Sequence, residues 1–120
     1  MLQLHGAGVG AGYLEFVFLP SFERSAAGLL SDAEIRDLEL ELLENPQAGA
    51  VVAGTGGVRK VRLALPGRGK RGSVRVIYLY VEVRQTIYLL LCYPKNEQEN
   101  LTPEQKKSIR QLVGKLQGEE

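Results

Sequence analysis

The chain has 120 residues, 44% of them hydrophobic and 24% charged, which is the size and composition of one globular domain. No run approaches the ~20 apolar residues of a membrane-spanning helix. The N-terminus also lacks the basic start and apolar stretch of an export signal, so a soluble, cytoplasmic protein is expected. One cysteine, Cys92, excludes an internal disulfide, and one histidine, His5, removes most zinc enzymes, histidine-pair nucleases and Ser-His-Asp hydrolases.

The net charge of +1 conceals a sorted distribution. Residues 15–44 carry eight acids against Arg24 and Arg36. Residues 45–81 carry no acid and seven of the fifteen bases: Arg59, Lys60, Arg62, Arg68, Lys70, Arg71 and Arg75. Charge sorted in this way produces a local positive field that suits a polyanion such as RNA.

In chain order, residues 1–12 (MLQLHGAGVGAG) have glycine at every second position from Gly6 to Gly12. They read as a flexible leader to a single domain at 13–120. Ala11 stands where a G-x-G-x-x-G phosphate loop needs its third glycine. Residues 13–19 read as a strand ended by Pro20, and 21–30 as a short helix. Ser31-Asp32-Ala33-Glu34 has the form of a capping box. It opens a helix to about Glu44, with Ile35, Leu38, Leu42 and Leu43 on one stripe and Asn45-Pro46 as its stop. Strand 58–65 alternates: Val61, Leu63 and Leu65 point one way, Lys60, Arg62 and Ala64 the other. Residues 66–72 (PGRGKRG) form a basic turn. Residues 73–83 and 85–93 are apolar strands joined as a hairpin through 82–84. Thr102-Pro103-Glu104-Gln105 is a second capping box, and the closing helix carries Ile109, Leu112, Val113 and Leu116 on one stripe. The order β-α-α-β-β-β-α predicts an α+β fold, with helices on one face of a mostly antiparallel sheet and Lys60 and Arg62 on the opposite face.

The runs GTGGVRKVR (54–62), GRGKRGSVRVIYLY (67–80) and YLLLCYPKNEQENLTPEQ (88–105), with LLENP (42–46) closing the acidic helix, together resemble the RelE superfamily of toxins in its HigB branch. The resemblance spans about residues 14–117 and implies a toxin of a type II toxin–antitoxin pair. It further implies a ribosome-dependent mRNA endonuclease that cuts in the ribosomal A site, and a cognate antitoxin as partner. The family's basic strand pair falls on Lys60 and Arg62, its arginine on the next strand on Arg75, and its position after the last strand on Lys95 and Asn96. Better-studied relatives carry arginine where Asn96 stands and a base-stacking tyrosine near Thr102.

Cleavage by attack of the 2′-OH on the adjacent phosphate needs a base, cations for the crowded phosphorane, and an acid for the departing 5′ oxygen. With no histidine pair, a lysine must accept the proton. An ordinary lysine amine, with a pKa of about 10.4, is a poor base at neutral pH, but like charges crowded around an amine favour its neutral form. Lys60, beside Arg59 and Arg62, is the best-placed candidate. Arg62 and Arg75 offer paired planar donors to phosphate, and Lys95 is a further cation. Arg59, Arg68, Lys70, Arg71 and Tyr93 are expected to contact RNA or the ribosome. Glu97 and Glu99 lack companion ligands, so neither a metal nor another cofactor is expected. Two other readings stay open: a DNA gyrase inhibitor on the same scaffold, as in the ParE branch, and a non-enzymatic RNA-binding toxin remnant.

Overall fold

The structure, a computed structural model, describes residues 3–9, 12–66 and 72–118, with residues 3–9 and 12 described by backbone only. Helix α1 (Pro20–Ala26) stops short of the expected Leu30, because Ala27 is extended and Gly28 takes φ +74°, a region open to glycine without strain. Helix α2 (Asp32–Glu44) and helix α3 (Pro103–Leu116) begin where their capping boxes require. Ser31 Oγ accepts the Glu34 amide at 3.1 Å and Thr102 Oγ1 accepts the Gln105 amide at 3.0 Å. In each box the N3 side chain accepts the cap amide in return at 2.9 Å.

Among the described residues six strands form one sheet: β1 (Gln3–Val9), β2 (Gly12–Phe18), β3 (Ala50–Val51), β4 (Arg59–Ala64), β5 (Ser73–Val81) and β6 (Thr86–Pro94). Their order is β1-β2-β6-β5-β4-β3, with β2 and β6 parallel and the other neighbours antiparallel. The hairpin between β5 and β6 turns through one 3-10 turn at Glu82–Arg84 and a left-handed Gln85. Residues 3–9, expected as a flexible leader, instead pair along β2 from Gln3↔Phe18 to Val9↔Gly12. A ladder is made of backbone groups, which glycine supplies as well as any residue. A glycine at every second position is also compatible with extended chain.

The expectation of helices on a single face is corrected. On one side of the sheet, Phe16, Val76, Tyr78 and Leu89 meet Phe22 of α1 and Leu38 and Leu42 of α2. On the other, Val17, Ile77, Leu79 and Leu90 meet Ile109 and Val113 of α3. The physical reason lies in β5 and β6, whose apolar residues run almost continuously instead of alternating. Such strands must be covered on both faces. Lys60 and Arg62 therefore share their face with α3.

Two local devices complete the frame around the basic strands. Strand β2 ends at Phe18 while β6 continues, so the open edge of β6 is met by α1. There Ser21 Oγ donates to the Leu90 carbonyl at 2.5 Å, and the Cys92 amide donates to Ser25 Oγ at 3.0 Å. The buried Tyr78 hydroxyl donates to the Pro46 carbonyl at 2.8 Å and accepts the Gly49 amide at 3.0 Å. A Cβ on Gly49 would lie 2.7 Å from the Lys60 carbonyl oxygen, so only glycine lets this loop approach β4 so closely.

Candidate nucleic-acid interface

Strand register assembles the site. Arg62 stands opposite Arg75 across β4 and β5, and Arg75 stands opposite Tyr93 across β5 and β6. Residues paired in this way lie on one face, so Arg62, Arg75 and Tyr93 form a row across three strands. A bulge between Ile77 and Tyr78 decides the last member. From the hairpin upward Tyr78 pairs with Leu89, but beyond the bulge Ile77 pairs with Leu91. That one-residue step sets Tyr93 opposite Arg75, where an unbroken ladder would set Cys92.

Lys60, two residues before Arg62 on the same face, stands diagonal to Arg75 at ~7–8 Å between backbones. Its Nζ donates to Asn100 Oδ1 at 3.0 Å. The Arg75 side chain is 14% exposed and reaches Glu99, 65% exposed, with Nη2 to Oε2 at 3.8 Å. Among the described residues, Arg75 Nε and Tyr93 Oη are buried polar atoms without a hydrogen-bond partner. Unpaired buried groups are costly, and these two lie closed off from solvent beside the exposed Arg62. Burial pushes the Tyr93 phenol above its ordinary value, Arg75 partly offsets that, and Glu99 adds to it. Tyr93 is consequently a protonated donor at neutral pH.

Lys95 and Asn96 are exposed in the turn after β6, where the Lys95 amide donates to the Ser73 carbonyl at 3.2 Å, two residues along β5 from Arg75. Arg59 does not join this group. Alternation turns it to the other face, where its Nη1 donates to the carbonyls of Gly49 at 2.7 Å and Gln47 at 3.3 Å and secures the loop before β3. Arg68, Lys70 and Arg71 lie outside the described residues; on either side of them, the Leu65 amide donates to the Gly72 carbonyl at 2.7 Å. Cys92 lies in the core, 3% exposed, and burial pushes its thiol up.

Glu99 and Asn100 escaped the sequence reading as site residues. The signal for them was topological: once α3 lies on the basic face, the segment joining β6 to Pro103 has to pass beside Lys60 and Arg75. A cleft of about 620 Å³ between α1 and α2 lies on the opposite face, lined by Glu23, Asp32 and Glu39 with Arg36. The rest of its lining is apolar, and three acids against one base make it unsuited to a polyanion. Among the described residues no three His, Cys, Asp or Glu side chains are grouped to hold a metal ion, and no helix is long and apolar enough to cross a membrane.

The family model for the RelE toxin of the RelE/RelB toxin–antitoxin system matches residues 17–120. The chain belongs to the RelE toxin family. It is thus a toxin of a toxin–antitoxin system, and its family implies an antitoxin as partner. The fold agrees with a solved structure of an arginine-to-alanine double mutant of E. coli toxin RelE in the free state. That match has 16% identity and a TM-score of 0.53, and covers 82% of this chain and 94% of that one. The family match begins at Val17, so strand β1 and all of β2 but Val17 and Phe18 precede the family-matched segment.

Proposed function

We propose that this toxin is a ribosome-dependent mRNA endonuclease of HigB type, acting in the cytoplasm on the message in the ribosomal A site. The observation that carries the reading is the Arg62–Arg75–Tyr93 row, with Lys60 beside it and two buried donors left unpartnered. RelE-family toxins are in general endoribonucleases, and a basic row with no histidine pair beside it suits a substrate held in place by a larger particle.

In the proposed reaction Lys60 accepts the 2′ proton as the 2′ oxygen attacks the adjacent phosphorus. Arg62 and Arg75 hold the non-bridging oxygens as negative charge accumulates, and the Tyr93 hydroxyl donates to the same group. The 5′ oxygen leaves with a proton, for which Lys95 at the rim is the candidate donor; Asn96 offers an amide to the same strand end. Arg68, Lys70 and Arg71 add phosphate contacts to ribosomal RNA that strengthen docking without entering the chemistry. The chemical step needs no metal, since side chains supply the stabilising charge.

Cell-free translation followed by primer extension on the message tests the reading. In-frame cuts on translated message alone are expected, with no change when manganese or zinc is added or chelated. Inhibition of gyrase supercoiling without cuts would move the toxin to the ParE type, and neither outcome would leave an RNA-binding remnant.

A further inference from the structure

Resting on the proposed cleavage reaction, we infer that Asn100 is a positioning residue that aims the Lys60 amine. A chain of hydrogen bonds runs from the start of α3 to that amine. Thr102 and Gln105 cap the helix reciprocally, at 2.9 and 3.0 Å. Gln98 Nε2 then donates both to Gln105 Oε1 and to the Asn100 carbonyl, each at 2.9 Å. Asn100 Oδ1, so placed, accepts from Lys60 Nζ at 3.0 Å. The loop is therefore anchored to the rigid end of a helix that is itself packed on the sheet through Ile109 and Val113.

An amide oxygen is the fitting partner for this task. A neutral amine that donates one hydrogen to a fixed acceptor loses its rotational freedom and keeps a lone pair in a defined direction. A carboxylate in the same place would orient the amine equally well but would favour its charged form, in which no lone pair is left. Lys60 otherwise faces Arg62 on its own strand, Ile77 directly across and Arg75 diagonally on β5, Ala50 on β3, and Glu99 beside Asn100 in the loop. Glu99 is engaged by Arg75, which leaves Asn100 as the group that meets the Lys60 amine.

Single-turnover cleavage on programmed ribosomes, measured across pH for wild type, Lys60→Ala, Asn100→Ala, Asn100→Asp and Gln98→Ala, tests the inference. Melting temperatures and ribosome affinities are taken alongside. Asn100→Ala should cleave about 10- to 100-fold more slowly with unchanged affinity. Gln98→Ala should fall between it and wild type. Asn100→Asp should recover much of the rate only at high pH, with its pH–rate profile moved upward by about one unit or more. If Lys60→Ala abolishes cleavage while both Asn100 variants keep the wild-type rate and profile, Asn100 has no positioning role. Faster cleavage by Asn100→Ala would also overturn it, marking the contact as a restraint on Lys60. If Lys60→Ala itself cuts at the wild-type rate, it is the proposed reaction that fails.

Discussion

Arg62 and Arg75 stand directly opposite one another on one face of an antiparallel strand pair, where side chains are closest and like charges repel. Glu99 engages Arg75 from one side, and Arg62 stays exposed. Two guanidinium groups held together in this way form a site that gains when an anion arrives, since a phosphate bridging them converts repulsion into paired attraction.

Replacing Arg62 with threonine, a neutral strand former, should therefore raise stability by a few tenths of a kcal/mol while cleavage falls. Urea unfolding at low salt is the appropriate measurement. The gain should shrink as salt screens the repulsion. Loss of stability together with loss of activity would mean the pair is merely structural.

Lys60→Ala should lower the cleavage rate on saturated ribosomes by roughly 10²–10⁴. Ribosome affinity should hardly change, because one ionic contact among many is lost. Arg75→Ala should cost about 10²–10³ in the same rate, and Arg75→Lys should recover only part of it, a point charge lacking the planar pair of donors. Single-turnover cleavage beside ribosome titrations separates the two quantities for each variant.

Tyr93→Phe removes a buried hydroxyl without a hydrogen-bond partner among the described residues. The variant should unfold at the same urea concentration as wild type or a higher one, since the desolvation of an unpaired hydroxyl, ~1–3 kcal/mol, is no longer incurred. Cleavage should nonetheless slow. A variant that is destabilised and fully active would remove Tyr93 from the site.

Alkaline pH should destabilise the toxin through three buried groups. Burial is the main cause that raises Tyr78 and Tyr93 above the ordinary 10.0 and Cys92 above 9.0. The folded state favours their neutral forms, so their stabilising contribution is full below the ordinary values and is lost as pH rises through the raised ones. Urea midpoints should show no effect of these groups from neutral pH to about 8.5 and should fall beyond it. Tyr93→Phe combined with Cys92→Ala should flatten that fall. Tyr78→Phe would additionally leave the Gly49 amide unpaired and lower stability at every pH.

Much of this architecture is local and was legible in the chain. The capping boxes at Ser31 and Thr102 set two helix starts because each box is closed within four residues. The alternation Lys60–Val61–Arg62–Leu63 sorted charge from core within one strand. The same alternation separates Arg59 from Lys60, so its place on the far face was also written there. Three features were decided by tertiary contact alone. The face taken by α3 depends on which side of the doubly apolar β5 and β6 remained uncovered by α1 and α2, a competition for buried area that no single segment encodes. The approach of Glu99 and Asn100 to Arg75 and Lys60 follows from that choice, because the segment leading to α3 must cross the basic face. Finally, the place of Tyr93 opposite Arg75 rests on one extra residue in the β5–β6 ladder, a step in register set by how both faces of β6 pack, which strand periodicity does not reveal.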